Sequence, residues 1–134
     1  TTEIGKAVSV STGNDLTIIT YGLGVHWALD EMKNREGVNA EIIDLRTLIP
    51  LDTQAVYEAV KKSGKVIVLH EDCLAGGIGG EISALINEHC FEDLDAPVMR
   101  VASLNSPVPF AENIESIFLP KTRLTETIDR LLRY

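Results

Sequence analysis

Five short runs rich in β-branched residues punctuate the chain, and helical patterns separate four of them. Leu16-Thr-Ile-Ile-Thr20, Glu41-Ile-Ile-Asp-Leu45, Lys65-Val-Ile-Val-Leu69 and Val98-Met-Arg-Val101 are the more continuous runs. Strands buried on both faces read this way. Ala7-Val-Ser-Val10 is short and flanked by polar residues, so it reads as an edge strand. Between the runs, Val25, Ala28, Leu29 and Met32 recur at i, i+3, i+4 and i+7, with Gly37 placed to end the helix. Asp52 can cap a second helix whose Val56, Ala59 and Val60 face inward before Gly64 stops it. Ile78, Ile82, Leu85 and Ile86 mark a third helix; Leu124, Ile128, Leu131 and Leu132 mark a last one running to Tyr134. Strands alternating with helices imply βαβ units with right-handed crossovers. The expected fold is α/β: a three-layer α/β/α sandwich around a five-stranded, mostly parallel sheet, with the short N-terminal edge strand free to run antiparallel. Ser103 to Phe110 reads as a loop, stiffened by Pro107 and Pro109, that bars pairing beyond the fifth strand.

Composition narrows the function classes. At 134 residues, 45 % hydrophobic and 24 % charged, the chain is one domain's worth of ordinary globular protein. A net charge of −8 argues against nucleic acid, whose phosphates call for surplus Lys and Arg, and leaves basic protein partners open. No apolar run approaches the roughly 20 residues a membrane helix needs. Cys73 and Cys90 are too few for a disulfide scaffold and fit a reducing cytoplasm. The chain opens Thr1-Thr2-Glu3, without an initiator Met or the regions of a signal peptide. The expectation is that residues 1–134 are one domain excised from a longer polypeptide.

The candidate chemistry gathers where the fourth run meets the glycine cluster Gly76-Gly77-Ile-Gly79-Gly80. A strand running into glycines and a helix suggests a dinucleotide fingerprint, but Ile82 stands where its third glycine belongs, and no strand-end acid follows at the expected spacing. Glycines that let a helix start pack on the sheet are the plainer explanation. His70 and Glu71 sit where a strand-end acid–base pair could work, yet no nucleophile or second base is spaced to join them. Zinc at His70, Cys73, His89 and Cys90 is disfavoured, because adjacent His89 and Cys90 point about 100° apart on a helix. A phosphoacceptor domain of similar fold would want an acidic pair after the first core strand, where Thr20-Tyr21-Gly22 stands, and a lysine closing the last strand. No catalytic, cofactor-binding or metal-binding residue is assigned on these grounds.

Several strings in order nonetheless resemble a known family. Ile4-Gly5-Lys6-Ala7, Asp15-Leu-Thr-Ile-Ile-Thr-Tyr21-Gly22, Asp44-Leu45-Arg46-Thr47-Leu48-Ile49-Pro50-Leu51-Asp52, His70-Glu71, Gly76-Gly77-Ile-Gly79-Gly80-Glu81-Ile82 and Leu94-Asp95-Ala96-Pro97-Val98-Met-Arg100-Val101 follow one another in order, and the resemblance they carry spans nearly all 134 residues. They resemble the C-terminal domain of the transketolase superfamily. More narrowly, they resemble the β subunit of thiamine-diphosphate-dependent 2-oxo acid dehydrogenases. His70-Glu71 before the glycines, and the ending Leu131-Leu132-Arg133-Tyr134, look like the branched-chain type. Pyruvate-specific and deoxyxylulose-phosphate enzymes tend to carry two acids at the strand end. Ser103 and Asn105 depart from the Gly and Asp usual before the Pro-x-Pro.

The resemblance implies an assembly domain. The whole enzyme would oxidatively decarboxylate 2-oxoisovalerate-type acids and pass the acyl group to lipoamide. Its thiamine diphosphate and Mg²⁺ would be held by other domains and not by this one, and the fragment alone would be inactive. Implied partners are the remainder of the dehydrogenase, in an oligomer, and the subunit-binding domain of the dihydrolipoyl acyltransferase. Asp44, Arg46, His70 and Glu71 become candidates for interface or domain packing, and Tyr134 with nearby acids for pairing with partner Arg and Lys. The alternatives are the same domain of a pyruvate or acetoin dehydrogenase or transketolase-type enzyme, and a freestanding nucleotide-binding module using the glycine loop.

Overall fold

The computed structural model describes residues 2–134. Its strands are β1 (Val8–Ser11), β2 (Leu16–Thr20), β3 (Ala40–Asp44), β4 (Val66–Cys73) and β5 (Met99–Ser103). The helices are α1 (Leu23–Lys33), α2 (Thr53–Ser63), α3 (Ile78–Cys90), α4 (Glu112–Phe118) and α5 (Lys121–Leu132), with a 3₁₀ turn at Phe91–Asp93. The sheet order is β1-β3-β2-β4-β5. β1 pairs antiparallel with β3, and every other pairing is parallel.

Adjacent apolar residues on each strand feed opposite faces, as the twofold pleat requires. Ile18, Ile42 and Ile67 pack with Trp27 and Ala28 of α1 and Leu124, Ile128 and Leu131 of α5. Ile19, Ile43 and Val68 pack with Val56 and Val60 of α2 and Ile82 and Ile86 of α3. The result is the expected three-layer α/β/α sandwich. Local chemistry sets the helix ends. The Asp52 carboxylate accepts from the Ala55 N–H at 3.2 Å and caps α2, and Gly64, at φ +66°, closes it with an N–H bond to the Val60 carbonyl. α1 stops earlier than expected: Asn34 is its C-cap, and Gly37 lies in the turn beyond, at φ +76°.

Other departures from the sequence expectation have physical causes. β4 does not stop at Leu69 but runs on to Cys73, because Cys73 pairs with Ser103 after a register shift. β5 correspondingly extends to Ser103, the residue at which a loop was expected to begin. α4 was not foreseen, since its Ile114 and Ile117 face solvent and leave no inward stripe to read. α5 ends at Leu132, short of Tyr134. No helix of the described residues is long and apolar enough to cross a membrane.

Candidate functional site

The chain leaves β2 toward β3 on one side and leaves β4 toward β5 on the other. The carboxyl ends of β2 and β4 therefore flank the point where strand order reverses, the place where open α/β sheets form a crevice. Thr20, Tyr21, His70, Glu71 and Asp72 occupy that point, with Asp44 next along the edge, opposite Thr20 in register. Tyr21 faces the acids. Burial first, then the Asp72 and Glu71 carboxylates, raises its phenol above the ordinary value of 10.0.

Asp44 and Arg46 form one structured corner. Arg46 is in the left-handed region at φ +60°, a conformation that strains a side chain with a Cβ. The Asp44 carboxylate holds it twice, accepting from the Arg46 backbone N–H at 3.1 Å and from Nε at 2.7 Å. Asp44 is buried, while the Arg46 side chain is 40 % exposed, so the guanidinium presents a charge outward from a fixed base.

His70 is built into the domain. It is 0 % exposed, and neither ring nitrogen lies within hydrogen-bond geometry of a partner among the described residues. Its ring lies against the backbone of the α3 start: a Cβ on Gly77 would stand 2.6 Å from His70 Cε1, and one on Gly79 would stand 2.3 Å from Nε2. Thr20 repeats the arrangement, with an unpartnered buried hydroxyl 2.1 Å from where a Gly24 Cβ would sit. Burial pushes the His70 pKa below 6.5, opposed by the Asp72 carboxylate and carbonyl and reinforced by Arg100. The imidazole is thus neutral and sealed from solvent, which leaves it no route for exchanging protons with a substrate. Glu71 is exposed, and its backbone carbonyl accepts from the Ser103 hydroxyl. Asn105 accepts from the Ala75 N–H at 2.8 Å, so of the two residues that depart from the family pattern, Ser103 ties β5 to β4 and Asn105 ties the segment after β5 to the loop after β4.

Of the four residues weighed for zinc, His70 and Cys73 lie before the start of α3, and His89 and Cys90 lie at its far end. His89 and Cys90 are the last two of the 13 residues of α3, about 16 Å along the helix from its start. The described residues contain no group of three or more His, Cys, Asp or Glu able to hold a metal ion.

Two surface features escaped the sequence. Ile4, Leu23, Ile49, Leu104, Phe110 and Ile117 are exposed, and all lie in segments entering or leaving the sheet at the carboxyl ends of its parallel strands. Ile4, Ile49, Leu104 and Phe110 are solitary apolar residues in irregular segments, and Leu23 and Ile117 lie off any inward stripe of their helices, so nothing in the pattern announced them. At the opposite end of the sheet, a groove of about 790 Å³ runs between Phe91, Glu92, Leu94, Asp95, Val98 and Tyr134. Phe91 is 69 % and Tyr134 63 % exposed.

Residues 5–123 match the sequence profile described as "Transketolase, C-terminal domain". The chain belongs to that family. It is 46 % identical over 119 residues to the 2-oxoisovalerate dehydrogenase subunit beta of Bacillus subtilis, an alignment covering 87 % of this chain and 36 % of that one. To the pyruvate dehydrogenase E1 component subunit beta of the same organism it is 40 % identical over 138 residues, 100 % of this chain and 42 % of that one. The corresponding pyruvate dehydrogenase subunit of Rickettsia bellii is 40 % identical over 118 residues, 87 % of this chain and 36 % of that one. This family member thus spans 36 % to 42 % of the length of these curated relatives. Among solved structures, a split-gene transketolase described as an inactive beta4 tetramer superposes with a TM-score of 0.81 at 24 % identity, covering 98 % of this chain and 43 % of that one. It shares the fold.

Proposed function

We propose that this chain is the C-terminal assembly and docking domain of a branched-chain 2-oxo acid dehydrogenase working in the cytoplasm. The whole enzyme decarboxylates 2-oxoisovalerate-type acids with thiamine diphosphate and Mg²⁺ and transfers the acyl group to lipoamide; the cofactor supplies the carbanion chemistry. The observation that carries the substrate class is the 46 % identity to a 2-oxoisovalerate dehydrogenase β subunit, against 40 % for pyruvate dehydrogenase relatives. The corresponding domain of a pyruvate dehydrogenase is the second reading, favoured by an alignment that spans 100 % of the chain.

The described residues do not fit thiamine diphosphate. The glycine-rich start of α3 is filled over Gly77 and Gly79 by the His70 ring, that of α1 is filled over Gly24 by the Thr20 hydroxyl, and the exposed Glu71 and Asp72 stand at the end of β4. No step of the reaction is routed through this domain.

Its role is mechanical, and its two ends divide the work. At the carboxyl ends of the strands, the exposed apolar residues share one end of the sheet with Arg46 and Glu71, a surface suited to packing against the remainder of the enzyme. Asp44 and His70 contribute beneath it, Asp44 by fixing Arg46 and His70 by fixing the glycine turn. At the other end, Phe91 and Tyr134 offer aromatic anchors and Glu92 and Asp95 an acidic rim, matching a basic subunit-binding domain of the acyltransferase.

Substrate class is tested on the full-length parent reconstituted with thiamine diphosphate and Mg²⁺. The expected result is a higher kcat/KM on 2-oxoisovalerate and 4-methyl-2-oxopentanoate than on pyruvate; a preference for pyruvate refutes the branched-chain assignment. Docking is tested by Glu92→Lys with Asp95→Lys in the parent enzyme, which should weaken capture by the acyltransferase while leaving decarboxylation in the absence of lipoamide unchanged. Undiminished capture by that variant removes the groove from the docking surface.

A further inference from the structure

In a chain with 20 acidic and 12 basic side chains, a cleft whose charged side chains are all cationic stands out. One lies along the outer edge of β5, about 440 Å³ in volume, bounded by Leu74, Val98, Met99, Arg100, Arg130 and Tyr134, with Pro97 at its rim. Its ionised side chains are the two guanidiniums. Neither forms an ion pair among the described residues.

Both guanidiniums are held in place from within the domain. Arg100 Nη1 donates to the Leu74 carbonyl at 3.0 Å, and Arg130 Nη2 reaches the Met99 sulfur, a weak acceptor, at 3.5 Å. Each of these contacts uses one of the five N–H donors of a guanidinium. The remaining donors meet no side-chain carboxylate within 4.0 Å among the described residues, although acids outnumber cations on the chain. The other walls are mostly apolar: Leu74, Pro97, Val98 and Met99, closed by Tyr134. A planar, fork-shaped donor set beside an apolar wall suits a carboxylate carried on a hydrocarbon body. The volume is within the range of small-ligand sites.

We propose that this cleft binds a short organic carboxylate, its head held between Arg100 and Arg130 and its hydrocarbon body laid against Pro97, Val98 and Tyr134. The guanidiniums select for negative charge, and the apolar wall selects for an aliphatic chain over a bare oxyanion. The site shares none of the residues of the switch point between β2 and β4, but it adjoins the groove at Phe91 and has Pro97, Val98 and Tyr134 in common with it.

The test is an amide ¹H–¹⁵N titration of the 134-residue chain with three probes: 3-methylbutanoate, its uncharged analogue 3-methylbutanamide, and inorganic phosphate. The carboxylate should give saturable shifts confined to Leu74, Val98 to Arg100, Arg130 and Tyr134, with a dissociation constant of the order of 1 mM. The amide and phosphate should each bind at least about tenfold more weakly. Arg130→Gln, a change on the helix surface, should weaken the carboxylate by a similar factor. Arg100→Gln should do so as well, but it also removes the bond to Leu74, so Arg130→Gln decides. Absent or scattered shifts, equal binding of the amide, equal binding of phosphate, or an Arg130→Gln chain that binds as tightly as the parent would each overturn the proposal.

Discussion

A methyl group at position 79 has no space to enter. A Cβ there would stand 2.3 Å from His70 Nε2 and 2.7 Å from Cδ2. An ordinary contact is about 3.5 Å, so the ring would have to retreat by about 1 Å. The ring is wholly buried, so it has no solvent space into which to retreat. Forcing a methyl into such a site costs about 1–3 kcal/mol. Replacing Gly by Ala returns about 0.4–1 kcal/mol by restricting the unfolded chain, which leaves Gly79→Ala about 0–2.6 kcal/mol less stable, or about 1.3 kcal/mol from the middle of both ranges. Urea unfolding with an unchanged slope should show the loss directly, and the thermal midpoint should fall by about 3–8 °C. Gly80→Ala is the control: its Cβ would meet nothing closer than Arg100 Nη1 at 3.7 Å, so it should be neutral or slightly stabilising. Combining Gly79→Ala with His70→Ala removes the obstacle, and the two losses should then couple by about 1 kcal/mol or more. If Gly79→Ala matches Gly80→Ala in stability, or the pair is additive, then His70 does not set the requirement for glycine.

Gly77→Ala should cost more, about 2–4 kcal/mol, because its Cβ would also stand 2.4 Å from the Cys73 carbonyl, which cannot rotate away. His70, held neutral in the fold, adds a pH dependence. Below its unfolded value of 6.5 the unfolded chain takes up a proton that the native state refuses, so stability should fall with pH until native His70 itself protonates. His70→Asn should flatten the urea-derived stability between about pH 7 and pH 5 relative to the parent, and equal slopes in the two chains contradict this. Asp52→Ala should cost about 1–2 kcal/mol, since it frees both the Ala55 N–H at the start of α2 and the Ala7 N–H at 3.0 Å. Those two bonds hold the Asp52 carboxyl below 3.8 despite its burial, so their contribution should fade in acid as pH drops through the depressed value. Acid titration of the Asp52→Ala chain against the parent checks this.

The layers were legible because each core strand carries its information twice. Ile18 and Ile19, or Ile42 and Ile43, are adjacent residues that must both be buried, and only a strand covered on both faces buries both. The stripes on α2, α3 and α5 then say which residues do the covering. α4 shows the limit of that logic. Of its apolar residues only Phe118 is buried, while Ile114 and Ile117 point outward, so its pattern answers to no core within this chain.

The same limit decides what could be read of the site. His70 and Glu71 were visible as polar residues ending an apolar run, but a strand end and a strand interior look alike in sequence, and the pairing of Cys73 with Ser103 is what carries β4 past them. Once the strand continues, alternation sends the two side chains to opposite sides: His70 inward to the glycines and Glu71 outward to solvent. Gly77 and Gly79 were a truer signal than the histidine itself. Two glycines one residue apart at a helix start mark a neighbour pressed against the backbone, and the sequence alone leaves open whether that neighbour is a phosphate or a side chain. Here it is an imidazole from the preceding strand, which turns an apparent ligand cradle into an internal packing joint.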